Sequence, residues 1–472
     1  MIKLDKNKRV PLYEQLYREL RKNIISGTYE KDYRLKPIRV FAKELSVSIN
    51  TVNRAYQQLL EEGYITSSQG SGFYVEEMFT IKGDKKTLYK QNGTAEESRK
   101  AADVRFDFSR KKLGAESFPW GKWLRYVQNA IVDLAYKDSI KDGTSKGSRK
   151  LRQAIADYIR GTRGVKCTAD QVIVCPTTEH AMEIITHVLP ADKRKLGMEE
   201  PGSVKMRQLF SSRGMEIQPV PVTNHGIDVN ALEHMDCDCL YVTPSFQFPT
   251  GVQLPLVKRL QLIEWCRRRG AYCIENDYEN EFLLGSEPVM SLQSLDSNER
   301  VIFVSTFSTV LSQEIKSAFL VLPLPLVKVY EEKYKYYRSA ISDYEQKALT
   351  AFIKDGQLER QSRKAAVLNR RKKEFFFRYA EENMTDIAAC LPCESGSHYL
   401  LGLYDCVDAD GVVRRLADRG IIIASVTECW QDRESAPRNL VMLSFNSIRE
   451  NELEKACRYM ETELRSVLRR KG

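Results

Sequence analysis

Apolar residues recur at helical spacing through the first sixty positions, and then the period changes. Leu12, Leu16, Leu20 and Ile24 follow Pro11 at intervals of four, which predicts a helix opened by that proline. Pro37 opens a second helix with Phe41, Ala42 and Leu45 inward. Ser48 stands where the N-cap of a third helix belongs, with Val52, Ala55, Tyr56, Leu59 and Leu60 on its inner face and Gly63 at its end. Tyr64-Ile65-Thr66 and Phe73-Tyr74-Val75 then bracket Ser67-Ser68-Gln69-Gly70-Ser71-Gly72, the pattern of two strands around a flexible turn. Helix, short turn at Ser46-Val47, helix and hairpin together predict a winged helix-turn-helix over residues 1–75.

Residues 76–103 are dominated by Lys, Asp, Glu, Asn, Gly and Ser, the composition of a linker. From Val104 to residue 472, short apolar runs alternate with amphipathic stretches. Leu151, Ala154, Ile155, Tyr158 and Ile159 mark one helix face. Strands are expected at Val172–Cys175, Leu240–Thr243, Tyr272–Glu275, Val301–Ser305 and Phe319–Leu322. Such alternation predicts an α/β body with a mainly parallel sheet covered by helices.

Composition narrows the picture only slightly. The chain of 472 residues holds enough apolar residues for two or three cores. No run approaches the ~18 apolar residues of a membrane span, and Met1 to Lys8 does not read as a signal peptide, so a cytoplasmic protein is expected. Its eleven cysteines therefore read as reduced thiols. The pairs Cys237/Cys239 and Cys390/Cys393, with His234 and His398 nearest, do not complete a four-ligand zinc set. The formal charge is +10, and residues 1–75 hold 13 Lys and Arg against 8 Asp and Glu. That local excess favours double-stranded DNA as a partner of the head.

The third helix carries short polar side chains near its start, Ser48, Asn50, Thr51 and Asn53, which a major groove can admit, with Arg54 placed to reach phosphate or base. Lys36 and Arg39 are candidates for phosphate contact, and Gly70 and Gly72 let the wing backbone approach the duplex. Arg34-Leu35-Lys36-Pro37-Ile38-Arg39, Val47-Ser48-Ile49-Asn50-Thr51-Val52, Ala55-Tyr56 with Leu59, Glu62-Gly63-Tyr64-Ile65 and Gly70-Ser71-Gly72 fall in the order of the GntR class of bacterial regulators. The head resembles that class throughout. It departs where Lys36-Pro37 replaces the usual Pro-Ser, and where Ile49 replaces a frequent arginine.

The body resembles the fold-type I aminotransferase domain of MocR-like regulators, a GntR subgroup. The resemblance rests on Phe118-Pro119-Trp120, Leu151 to Tyr158, Arg163-Gly164-Val165, Thr243 to Gly251 with its Pro-Thr-Gly turn, and Ile274 to Phe282. It implies an effector-binding domain that also forms a homodimer. It further implies a pyridoxal phosphate site, whose positions are altered here. The lysine that forms the imine corresponds to Thr309, after Ser308, and a threonine hydroxyl cannot take that role. The carboxylate opposite the ring nitrogen corresponds to Asn276; Asp277 beside it faces the other way along the strand. Tyr278, implied to bond the ring hydroxyl, is retained. Thr178 and Glu179 stand in the phosphate turn, Ser203 at the stacking aromatic, Lys316 at an arginine, and Met442 at the arginine that grips a substrate carboxylate.

The expectation is a sequence-specific DNA-binding regulator whose body senses a small-molecule effector, with any pyridoxal phosphate held without a covalent bond through Thr309 and Ser308. Two alternatives stand beside it: an active pyridoxal phosphate aminotransferase carrying a DNA-binding head, and a ligand-free dimerisation scaffold.

Overall fold

A computed structural model describes residues 4–5, 10–68, 72–76, 104–109, 114, 117–136, 144–283, 289–312, 314–391, 397–404, 406 and 408–469. The expected linker over 76–103 lies outside the described residues except for Glu76. The chain divides into two compact units, residues 1–98 and 99–472.

In the first unit, α1 (Leu12–Ile25), α2 (Ile38–Glu44) and α3 (Ile49–Glu61) pack around Leu16, Leu20, Phe41, Val52, Ala55, Tyr56 and Leu59. The helix starts have local causes. Pro11 and Pro37 precede α1 and α2, and the Ser48 hydroxyl accepts the Thr51 amide at the head of α3. Gly63, at φ 73°, reverses the chain after α3. Strands β1 (Ile65–Ser68) and β2 (Gly72–Val75) pair antiparallel with Ile65 opposite Val75. The Leu35 amide donates to the Phe73 carbonyl, so the residues before α2 brace the hairpin. The Tyr56 hydroxyl, donating to the Lys36 carbonyl at 2.9 Å, ties α3 to the start of α2. Each large apolar side chain sealed this way is worth roughly 1.5–3 kcal/mol, so the three on α3, Val52, Tyr56 and Leu59, outweigh its weak intrinsic helicity.

In the second unit, β3 (Phe106–Asp107) pairs with β14 (Ile421–Ile422). The main sheet holds β4 (Val172–Cys175), β5 (Lys195–Glu200), β6 (Glu216–Thr223), β7 (Gly226–Ile227), β8 (Cys239–Val242), β9 (Tyr272–Asn276), β10 (Val301–Thr306) and β11 (Ala318–Val321). Their order is β4-β11-β10-β9-β8-β5-β6-β7. The run from β10 through β9, β8 and β5 to β6 is parallel, while β4, β11 and β7 join antiparallel.

The two-residue period of a strand explains how the sheet is covered on both faces. Phe303, Phe319, Val172 and Val174 pack on one side with Leu151, Ile155 and Ile159 of the helix Arg149–Arg163. Ile302, Val304, Leu320 and Ile173 face the other side, against Ala181, Met182 and Ile185 of the helix Thr178–Val188. A second sheet, β12 (Ala388–Cys390), β13 (Tyr399–Leu403), β16 (Leu440–Leu443) and β15 (Ala424–Ser425), is wholly antiparallel. The helix Gln357–Asn383 joins the two cores, giving Leu358 and Ala365 to the first and Phe376 and Ala380 to the second. Among the described residues no helix is long and apolar enough to cross a membrane.

Candidate functional site

On the head, packing Val52, Ala55, Tyr56 and Leu59 inward leaves the opposite edge of α3 to solvent. Asn50 and Arg54 are exposed, and Thr51 and Asn53 are half-buried. Ser48 is both cap and edge residue: its hydroxyl accepts the Thr51 amide at 3.1 Å and lies 2.8 Å from the Thr51 hydroxyl. Arg39 is exposed at the start of α2. The two remaining cations have partners within the head. Lys36 pairs with Glu44 at 2.7 Å and sits 5.8 Å above the Phe41 ring; the bond to Glu44 raises its pKa. The Arg54 guanidinium lies 4.2 Å over the Tyr13 ring. Gly72 has φ 116°, a conformation that favours glycine, while Gly70 falls outside the described residues.

In the body, the residues singled out from the sequence gather mainly where the parallel strands end, the usual ligand position of such sheets. Thr178 and Glu179 open the helix after β4, whose cap is Thr177. Glu179 pairs with Lys205; burial raises its pKa, but hydrogen bonds from Lys205, its own backbone amide and Thr177 together more than offset it and the net shift is downward. Ser203, in the turn after β5, caps the helix Val204–Ser212 by accepting the Met206 amide. Thr309 is buried and Ser308 half-buried beyond β10, with the Ser308 hydroxyl 2.9 Å from that of Thr306. Lys316 is exposed. Met442, on β16 of the second sheet, packs with Leu400, Val426 and Cys429.

Neighbouring residues of β9 point to opposite sides, as the pleat requires. Asn276 donates from Nδ2 to the Tyr241 hydroxyl at 2.8 Å, while its buried Oδ1 has no partner. Turning the amide over lets Tyr241 donate to Oδ1 and presents Nδ2 as a donor instead. Asp277 is held by Arg163 at 2.7 and 3.1 Å and by the Ser245 hydroxyl at 2.5 Å. Tyr278 donates to the Phe246 carbonyl at 2.9 Å.

Four buried acids near these strand ends, Glu199, Glu275, Glu279 and Glu281, were not singled out from the sequence, and burial raises the pKa of three of them. Glu199 accepts the Thr243 amide and hydroxyl at 3.1 and 2.6 Å, and burial pushes it up to about 7. Glu275 accepts the amides of Leu292 and Gln293; burial and then Asp277 push it up to about 7. Both carboxyl oxygens of Glu281 lack a partner. Burial, reinforced by Asp277 and Glu279, raises its pKa to about 8. Glu275, Glu279 and Glu281 fall within the Ile274–Phe282 stretch, but the sequence assigns none of these glutamates a role; burial is what distinguishes them. Chemically, the gathered candidates supply hydroxyls, an amide and the Glu179 carboxylate, groups suited to hydrogen bonding. Among the described residues no group of three acids, cysteines or histidines could hold a metal.

Residues 12–75 match the family model of bacterial regulatory proteins, gntR family, and residues 126–368 match that of aminotransferase class I and II. The HTH-type transcriptional regulator YdeL of Bacillus subtilis (strain 168) is 29% identical, over 96% of each chain. The probable rhizopine catabolism regulatory protein MocR of Rhizobium meliloti is 31% identical, over 83% of this chain and 79% of that one. Among solved structures, a multiple substrate aminotransferase from Thermococcus profundus aligns with TM-score 0.69 at 19% identity. The alignment covers 82% of this chain and 98% of that one, and establishes the fold of the body.

Proposed function

The chain belongs to the GntR/MocR-type HTH transcriptional regulators, and from that premise we propose that its body senses a small molecule without performing transamination. The observation that carries the reading is Thr309, buried beyond β10 where the resemblance places the imine-forming lysine, while Lys316 is exposed. Pyridoxal phosphate, when imine-bound, supplies an electron sink, and these residues do not fit that form. Glu179 sets a carboxylate in the phosphate turn, Asn276 leaves a neutral amide for the ring nitrogen, and Met442 offers no cation to a substrate carboxylate. Thr178, Ser203, Tyr278, Ser308 and Thr309 suit a ligand held by hydrogen bonds alone.

The head acts on double-stranded DNA in the cytoplasm through α3, with Ser48, Asn50, Thr51 and Asn53 at the base edges, Lys36, Arg39 and Arg54 on the basic side, and Gly70 and Gly72 in the wing. A homodimer, supported by the exposed Trp120, Leu124 and Ile131 along the helix Trp120–Tyr136, sets two heads on paired half-sites. The effector acts by binding one arrangement of the heads more tightly than the other. Borohydride reduction of the chain with pyridoxal phosphate tests the absence of an imine. The expected intact mass is unchanged; a stoichiometric pyridoxyl adduct on one lysine supports the active aminotransferase instead.

A further inference from the structure

Ile49 is the first residue of α3, and 55% of its surface is exposed although the helix has an apolar core face to offer it. A single exposed isoleucine is ordinary on most surfaces. Here its neighbours are the short polar residues Asn50, Thr51 and Asn53, on the edge that the proposed function assigns to the major groove. The one cation on α3, Arg54, has its guanidinium 4.2 Å over Tyr13 of α1, which draws away the fork that would read guanine O6 and N7.

In the major groove the apolar group is the thymine 5-methyl, and the edge that matches an asparagine amide is adenine N6 with N7. We propose that α3 reads an A·T-based half-site, with Ile49 packed on a thymine methyl and Asn50 on an adenine edge. This rests on the regulator reading and specifies its DNA partner. Ile49 is then a specificity residue: phosphate contacts made elsewhere on the head position the helix, and this side chain selects the base.

Selection of bound duplexes from a random pool by the intact chain, followed by replacement of single thymines with deoxyuridine, tests the proposal. Uracil lacks only the methyl. At one thymine per half-site the replacement weakens binding about four-fold, the worth of one buried methylene-sized group. In Ile49→Ser, whose exposed site leaves the fold intact, thymine and uracil bind alike. Specific binding that is indifferent to every such replacement, or a selected core of G·C pairs, overturns this inference and leaves the regulator reading standing. Absence of any sequence preference overturns both.

Discussion

Replacing Glu281 by glutamine stabilises the body at alkaline pH and leaves it nearly unchanged in acid. The carboxyl is 1% exposed, neither oxygen has a partner, and its pKa rises from 4.5 to about 8. Asp277 and Glu279 repel its charge, Arg163 partly compensates, and Tyr158 lies close enough to feel it. Because the folded value lies above the unfolded one, the native state holds the extra proton between about pH 4.5 and 8. Stability is therefore complete below the unfolded pKa and falls as pH rises through that window. Each pH unit crossed between the two values costs ~1.4 kcal/mol, so the penalty at pH 8 is about 3–5 kcal/mol, against under ~1 kcal/mol at pH 5. Glutamine keeps the shape and removes the titration. Glu199 and Glu275 titrate in the same window, so the quantity to measure is the difference between variant and parent melting temperatures at each pH. Glu281→Gln should gain several degrees at pH 8 relative to its effect at pH 5. Equal differences at the two pH values would refute the assignment of a buried, protonated carboxyl.

Two further substitutions address the frame around the site. Arg163→Met leaves the Asp277 charge without its buried cation and should cost about 3–5 kcal/mol, read as a lower urea midpoint of the body. Ser48→Ala removes the hydroxyl that accepts the Thr51 amide and should cost the head about 1 kcal/mol, seen as faster hydrogen exchange at the first turn of α3.

The head was largely legible in the sequence because its signals are local. Pro11, Pro37, Ser48 and Gly63 mark helix ends within a residue or two of where the structure has them. The buried strands were legible as apolar runs, though alternation alone could not reveal that β11 runs antiparallel between β10 and β4. The predicted reversal of Asp277 relative to Asn276 follows from the pleat, but its partner does not: Arg163 lies 114 residues earlier in the chain. Nor does sequence spacing show that Lys36 folds onto Glu44, or that Arg54 stacks on Tyr13. Such pairings depend on how separate elements meet. The orphaned oxygens of Glu281 and Asn276 are of the same kind, since burial without a partner is a property of the packed interior.

The central claim, that this chain is a DNA-reading regulator, is tested most directly by its affinity for the DNA upstream of its own gene against shuffled duplex of equal length. The account predicts a preference of at least ~1,000-fold at physiological salt, with the absolute affinity falling steeply as salt rises. Equal affinity for the two duplexes would contradict it.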